Sequence, residues 1–152
     1  MKTIITTLFI LFSFVSLSQT NIELENKVYE KIKSYKKKLG NYKELTVDTT
    51  MSKSCRQHSI KMYSEDNLEH IKSFNGVKGK SEIIQYVVHN NNDFDKLAQK
   101  ILTNFLNSPS HKKSIDETST LIGVGIYIKK IETVIDFDTF TSYEVWVTIR
   151  FF

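Results

Sequence analysis

The chain of 152 residues has one cysteine, one proline and five glycines. A lone cysteine builds no internal disulfide framework. So little proline and glycine excludes a collagen repeat and a flexible low-complexity linker. It also counts against a many-turned β-sandwich, whose tight hairpins draw on both residues. Excess charge of one sign is missing too: 21 Lys and Arg are interspersed with 17 Asp and Glu, for a net charge of +4. No basic cluster is interleaved with stacking aromatics, so nucleic-acid binding is not expected. The common local catalytic patterns HExxH, GxSxG, the P-loop and the dinucleotide glycine fingerprint are absent. What is present is a globular composition, 40% apolar and 25% charged, at a length that suits one domain.

One long apolar run stands at the N-terminus. Lys2 precedes Ile4 to Val15, and the small residues Ser16 and Ser18 follow. This pattern predicts a secretory signal peptide over residues 1–18, because the run falls short of the ~20 apolar residues that span a bilayer. No cysteine follows it to carry a lipid anchor. Residues 19–152 are then expected to form a single soluble domain with no membrane span, secreted or periplasmic, held together by apolar burial alone.

The first half of that domain reads as helical. Leu24, Val28, Ile32, Tyr35 and Leu39 recur at helical spacing, and Gly40 follows them. Lys36-Lys37-Lys38 reads as a solvated last turn favoured by the helix dipole. A second helix is expected from Asp48, Thr49 or Thr50, with Met51, Cys55, His58 and Met62 on one buried face. Residues 65–79 look irregular. Ser81 is then expected to cap a helical run with Ile84, Val87 and Val88 facing inward, ending near Asn90-Asn91-Asn92. Asp93 starts another helix with Phe94, Leu97, Ile101 and Phe105 on one stripe. Ser108-Pro109 opens a short one towards Ile115.

Beyond that the period changes to two. Ile122, Val124, Ile126 and Ile128 alternate with Gly123, Gly125 and Tyr127, and Tyr143 to Phe151 alternate in the same way. These segments read as strands, with a further extended segment and a loop between residues 131 and 142. Helices first and strands last predict an α+β layer fold, a small antiparallel sheet covered by helices.

Chemistry must then lie in scattered residues. His70, Glu82 and His111 each fall in a loop or near the expected start of a helix, where sites are usually carried. His111 occupies the third position of its helix, where the dipole disfavours an imidazolium. Two neutral imidazoles and a carboxylate match the ligand set of an open site for a divalent metal such as zinc. The plain alternative leaves the histidines on the surface and Glu82 complementing a helix end. Cys55 and His58 are spaced as a thiolate and its base, but the methionine stripe they share marks them as core. Gly123 and Gly125 would let a helix or a ligand approach one face of their strand. Trp146, on the opposite parity from the apolar positions of its strand, either lines a cleft or covers the edge of the core.

Several segments in order resemble the CAP superfamily in its bacterial form, the SCP-like extracellular domains named for cysteine-rich secretory, antigen 5 and pathogenesis-related 1 proteins. Leu45 to Met62, LTVDTTMSKSCRQHSIKM, is similar to the second helix of that family. His70 stands where the family has its first cavity histidine. Ser81-Glu82-Ile83-Ile84 resembles Gly-Glu-Asn-Ile, and Ser108-Pro109-Ser110-His111 resembles Ser-Pro-Gly-His. Gly123-Val124-Gly125 and the closing strand complete the series. The resemblance implies an α-β-α sandwich with a cleft in which His70, Glu82 and His111 converge. A second cavity glutamate of many relatives is replaced here by Ser108.

The function it implies is a secreted cleft-binding module for a divalent metal or a polar group of a lipid, glycan or cell-wall ligand. The alternatives are a metal-assisted hydrolase of peptides or peptidoglycan, with Glu82 as base, and a protein-interaction module with a vestigial cleft.

Overall fold

Leu24, Val28 and Ile32 are fully buried along one stripe of a helix over residues 21–38, α1. Gly40 just beyond it has φ +77°, a conformation open to glycine without strain. The computed structural model describes residues 21–40, 43–71, 73–74, 76–135 and 137–152, so the expected signal peptide lies outside the described residues. The stripe stops at half-buried Tyr35, since Leu39 is exposed. Lys36 corrects the expected solvated turn. It is buried, and its Nζ donates to the carbonyls of Ile115 at 2.6 Å and Glu117 at 2.7 Å. Its ammonium thus satisfies the free carbonyl end of another helix, a tertiary partner that local spacing does not reveal.

A two-residue strand β1 (Thr46–Val47) leads into α2 (Thr49–Glu65), where the Asp48 side chain accepts from the Met51 amide at 2.7 Å. A loop and the short pair β2 (Ser73–Phe74) and β3 (Val77–Lys78) follow, then β4 (Ser81–His89). Next come α3 (Phe94–Asn107), capped by Asp93, and α4 (Pro109–Asp116), with proline in its first turn. The chain ends in a long hairpin, β5 (Leu121–Ile135) and β6 (Asp138–Phe151), in place of the separate third segment expected between them. No described helix is long and apolar enough to cross a membrane.

The largest departure from expectation is β4, read from sequence as a helix. Ile83 and Val87 point into one layer and Ile84 into the other, while Tyr86 and Val88, the latter expected to face inward, are exposed. Apolar residues at 83, 84, 87 and 88 therefore imitate a helical stripe, although the segment is rich in β-branched residues.

The four strands run in the order β1-β5-β6-β4; β1 lies parallel to β5 and the others are antiparallel. One face packs against α1, α3 and α4 in a single apolar core that includes Leu24, Ile32, Ile101, Phe105, Val147 and Ile149. The other face carries α2, and here the contact is closer and more polar. A Cβ on Gly125 would stand 2.0 Å from the Arg56 amide nitrogen, and one on Gly123 would stand 2.6 Å from Met51 Cγ. The missing side chains let the α2 backbone lie on β5. The buried face of α2 is accordingly small and polar, with Ser52, Ser54, Cys55, His58 and Ser59. Ser59 Oγ donates to the Gly125 carbonyl at 2.9 Å. The result is an α-β-α sandwich.

Because β1 is so short, β5 has a free edge beyond Ile122. The Val124 amide donates there to Ser52 Oγ at 3.2 Å, and the Ile126 amide to Glu25 Oε1 at 3.0 Å. At the far end β5 and β6 run on as a two-stranded ribbon past the helices. Val134, Ile135, Phe137 and Phe140 are exposed on it.

Candidate functional site

Glu82, the second residue of β4, stands opposite Arg150 in the β4–β6 register. Both point to the α2 side of the sheet, and Arg150 is completely buried there. Its Nε donates to Glu82 Oε2 at 2.8 Å and its Nη2 reaches the same oxygen at 2.7 Å. Its Nη1 donates to Ser54 Oγ on α2 at 2.8 Å. His58, also fully buried on α2, places Nδ1 3.3 Å from that Glu82 oxygen. The other oxygen, Oε1, accepts the Ile71 amide at 3.0 Å and has His70 Nδ1 at 3.4 Å. His70 itself is exposed, in the loop after α2.

α4 supplies the second imidazole. His111 packs edge-on against Phe105, with centroids 5.4 Å apart, and its ring centroid is 6.1 Å from that of His70. The structure therefore places His70 beside both Glu82 and His111, although Glu82 sits on a strand and not at the expected helix start. The concavity, about 610 Å³, is lined by His70, Ile71, Gly79, Lys80, Ser81, Glu82 and, beneath them, Arg150. His111 adjoins it through His70.

The electrostatics follow from these contacts. Burial by itself would raise the Glu82 carboxyl, but His58, the Ile71 amide and Arg150 outweigh it and hold the group below its ordinary value. His111 is lowered, first by burial and then by the nearby His70, so it stays neutral further into acid. The expectation rested on the helix dipole; the lowering here comes from burial and from His70.

A divalent cation finds a partial donor set here. The two imidazoles are suitable donor types, but the Glu82 oxygens are already engaged by a guanidinium, an amide and a third histidine, His58. Among the described residues, no group of three or more His, Cys, Asp or Glu is arranged to hold a metal ion.

The other candidates lie elsewhere. Ser108 takes the N-cap position of α4, but its side chain makes no cap hydrogen bond and rests 3.3 Å from Ser110 Oγ. Trp146 is buried with Met62 and Ile84, between Tyr63 and Tyr86, and does not line the concavity of His70 and Glu82. Cys55 is core as expected: it lies 3.5 Å from the Gly123 carbonyl, and burial pushes its thiol up to about 12. His58 is core too, with its Nδ1 facing the Glu82 carboxylate.

Sequence reasoning missed Arg150 altogether. The available signal was a lone charge inside the closing strand VWVTIRF, on the same parity as Trp146 and Thr148. A charge in an otherwise buried strand requires a buried partner.

The family model for the Cysteine-rich secretory protein family, CAP, matches residues 29–143. Among solved structures, the chain is similar to an outer surface protein from Borrelia burgdorferi. The TM-score is 0.51 at 19% identity, over 85% of this chain and 92% of that one, a likeness of fold. No curated protein sequence matches the chain.

Proposed function

The chain belongs to the cysteine-rich secretory protein (CAP) family, and on that premise we propose that it is an exported binding module whose paired imidazoles, His70 and His111, take a polar group or a divalent cation. The observation that carries this reading is the approach of the two rings to 6.1 Å beside an open concavity, with the Glu82 carboxylate behind one of them. Lipid, glycan or cell-wall ligands supply suitable polar groups. The N-terminal segment supports export, and the likeness to an outer surface protein agrees with it.

Glu82 serves this reading as a holder of His70. Its oxygens are engaged and its carboxyl is held low, which suits a hydrogen-bond acceptor better than a general base. Calorimetric titration of zinc into the protein and into the doubly substituted His70→Ala, His111→Ala chain tests the cation version. Binding should be weakened at least tenfold in the variant, by the loss of both donors; equal affinity ends it. Retention on immobilised lipid, glycan and peptidoglycan fragments tests the polar-group version, and it should fall in the same variant.

A further inference from the structure

Resting on the binding reading above, we propose that Arg150 is a positioning residue for His70: it fixes the Glu82 carboxylate from beneath, so that His70 carries its proton on Nδ1 and offers Nε2 to the ligand as a free electron pair. The contacts run unbroken from interior to surface. Arg150 is fully buried and acts only through its neighbours. Its guanidinium is held on one side by Ser54 Oγ at 2.8 Å and grips Glu82 Oε2 on the other with Nε at 2.8 Å and Nη2 at 2.7 Å. His58 Nδ1, 3.3 Å away, adds a further contact to that oxygen.

Oε2 is held from beneath, and the other oxygen, Oε1, faces the loop after α2. It meets the Ile71 amide at 3.0 Å and His70 Nδ1 at 3.4 Å. An ionised carboxylate can only accept. For His70 to donate to it across this 3.4 Å approach, the proton must stand on Nδ1, which leaves Nε2 bare. An outer carboxylate of this kind fixes both the tautomer and the orientation of a ligating imidazole. Arg150 also lies beyond residues 29–143, the segment matched by the family model.

A guanidinium that merely stabilised the fold would leave the His70 tautomer unaffected, and the test uses that difference. Imidazole nitrogen shifts and two-bond couplings of the ¹⁵N-labelled protein, at a pH where His70 is neutral, read the tautomer directly and need no ligand. The wild type is expected in the Nδ1–H form. Arg150→Lys keeps a cation in place but loses the two-pronged grip; it should divide His70 between the two tautomers and weaken zinc binding by about ten- to a hundredfold. Ser54→Ala loosens the guanidinium from its far side and should move both readouts less, in the same direction. It decides the matter if Arg150→Lys does not fold. A wild-type Nε2–H tautomer, or a tautomer unchanged in every variant that folds, overturns the proposal. A wild type in the Nδ1–H form that shifts in the variants, but takes up no zinc, upholds the positioning role and overturns the cation version of the binding reading.

Discussion

Two carboxylates in this protein, the buried Glu25 and the mostly buried Glu82, are each gripped by an arginine and each accept one backbone amide, yet their surroundings differ. Glu25 of α1 takes Arg56 Nε at 2.8 Å, Arg56 Nη2 at 2.5 Å and the Ile126 amide at 3.0 Å. Glu82 takes Arg150 and the Ile71 amide. The first pair ties α1 to α2 and closes the free edge of β5, and the Arg56 side chain is 31% exposed. The second has its arginine at 0% exposure and also faces His58 and His70. The ion pair alone therefore does not mark the site. What distinguishes Glu82 is the pair of imidazoles on its remaining directions and the concavity beyond them.

The sharpest test of this contrast removes each guanidinium in turn. Arg150→Met strips a fully buried cation from Glu82 and Ser54, and unfolding by urea should show a loss of about 3–5 kcal/mol, the usual cost of breaking a buried pair. Arg56→Met should cost less, about 1–3 kcal/mol, because Glu25 keeps the Ile126 amide and water reaches the vacated position. Equal losses would erase the distinction between a half-exposed clamp and a buried one.

The smallest effect is the one specific to Glu82. Its carboxyl is lowered in the fold, so its contribution to stability is fully present above the unfolded value of about 4.3 and is lost as pH falls through the folded value. Urea midpoints of the wild type should therefore drop on acidification below about pH 4.3 more steeply than those of Glu82→Gln, which has no proton to take up there. Parallel acid profiles would show that Glu82 is not the group whose charge the fold secures.

Much of the scaffold was legible because the burial it reflects is local. Leu24, Val28 and Ile32 repeat with the helical period and are buried on one face; Leu97, Ile101 and Phe105 do the same in α3, with Phe94 half-buried at its start. Alternation identified the inner halves of β5 and β6. β4 was misread because a strand that buries Ile83 and Val87 on one face and Ile84 on the other loses its alternation. Lys36 was misread because the carbonyls it caps belong to a helix 79 residues away in sequence. The site divides in the same way. His70, Glu82 and His111 stood out by residue type and by resemblance, whereas His58 looked like ordinary core and Arg150 went unnoticed.

Sequence alone thus determined the helices α1 to α4 with their greasy sides and the alternation of the closing strands, and it singled out two histidines and a glutamate as candidate groups. Each of these depends on neighbours within a few turns or on side-chain chemistry. Only the tertiary structure decided what stands behind the glutamate. Glu82 and Arg150 are 68 residues apart and meet solely through the register of β4 on β6, with α2 closing over them. That register is set by the packing of the whole sandwich, and a charge buried by such packing is stable only where the fold delivers its counter-charge.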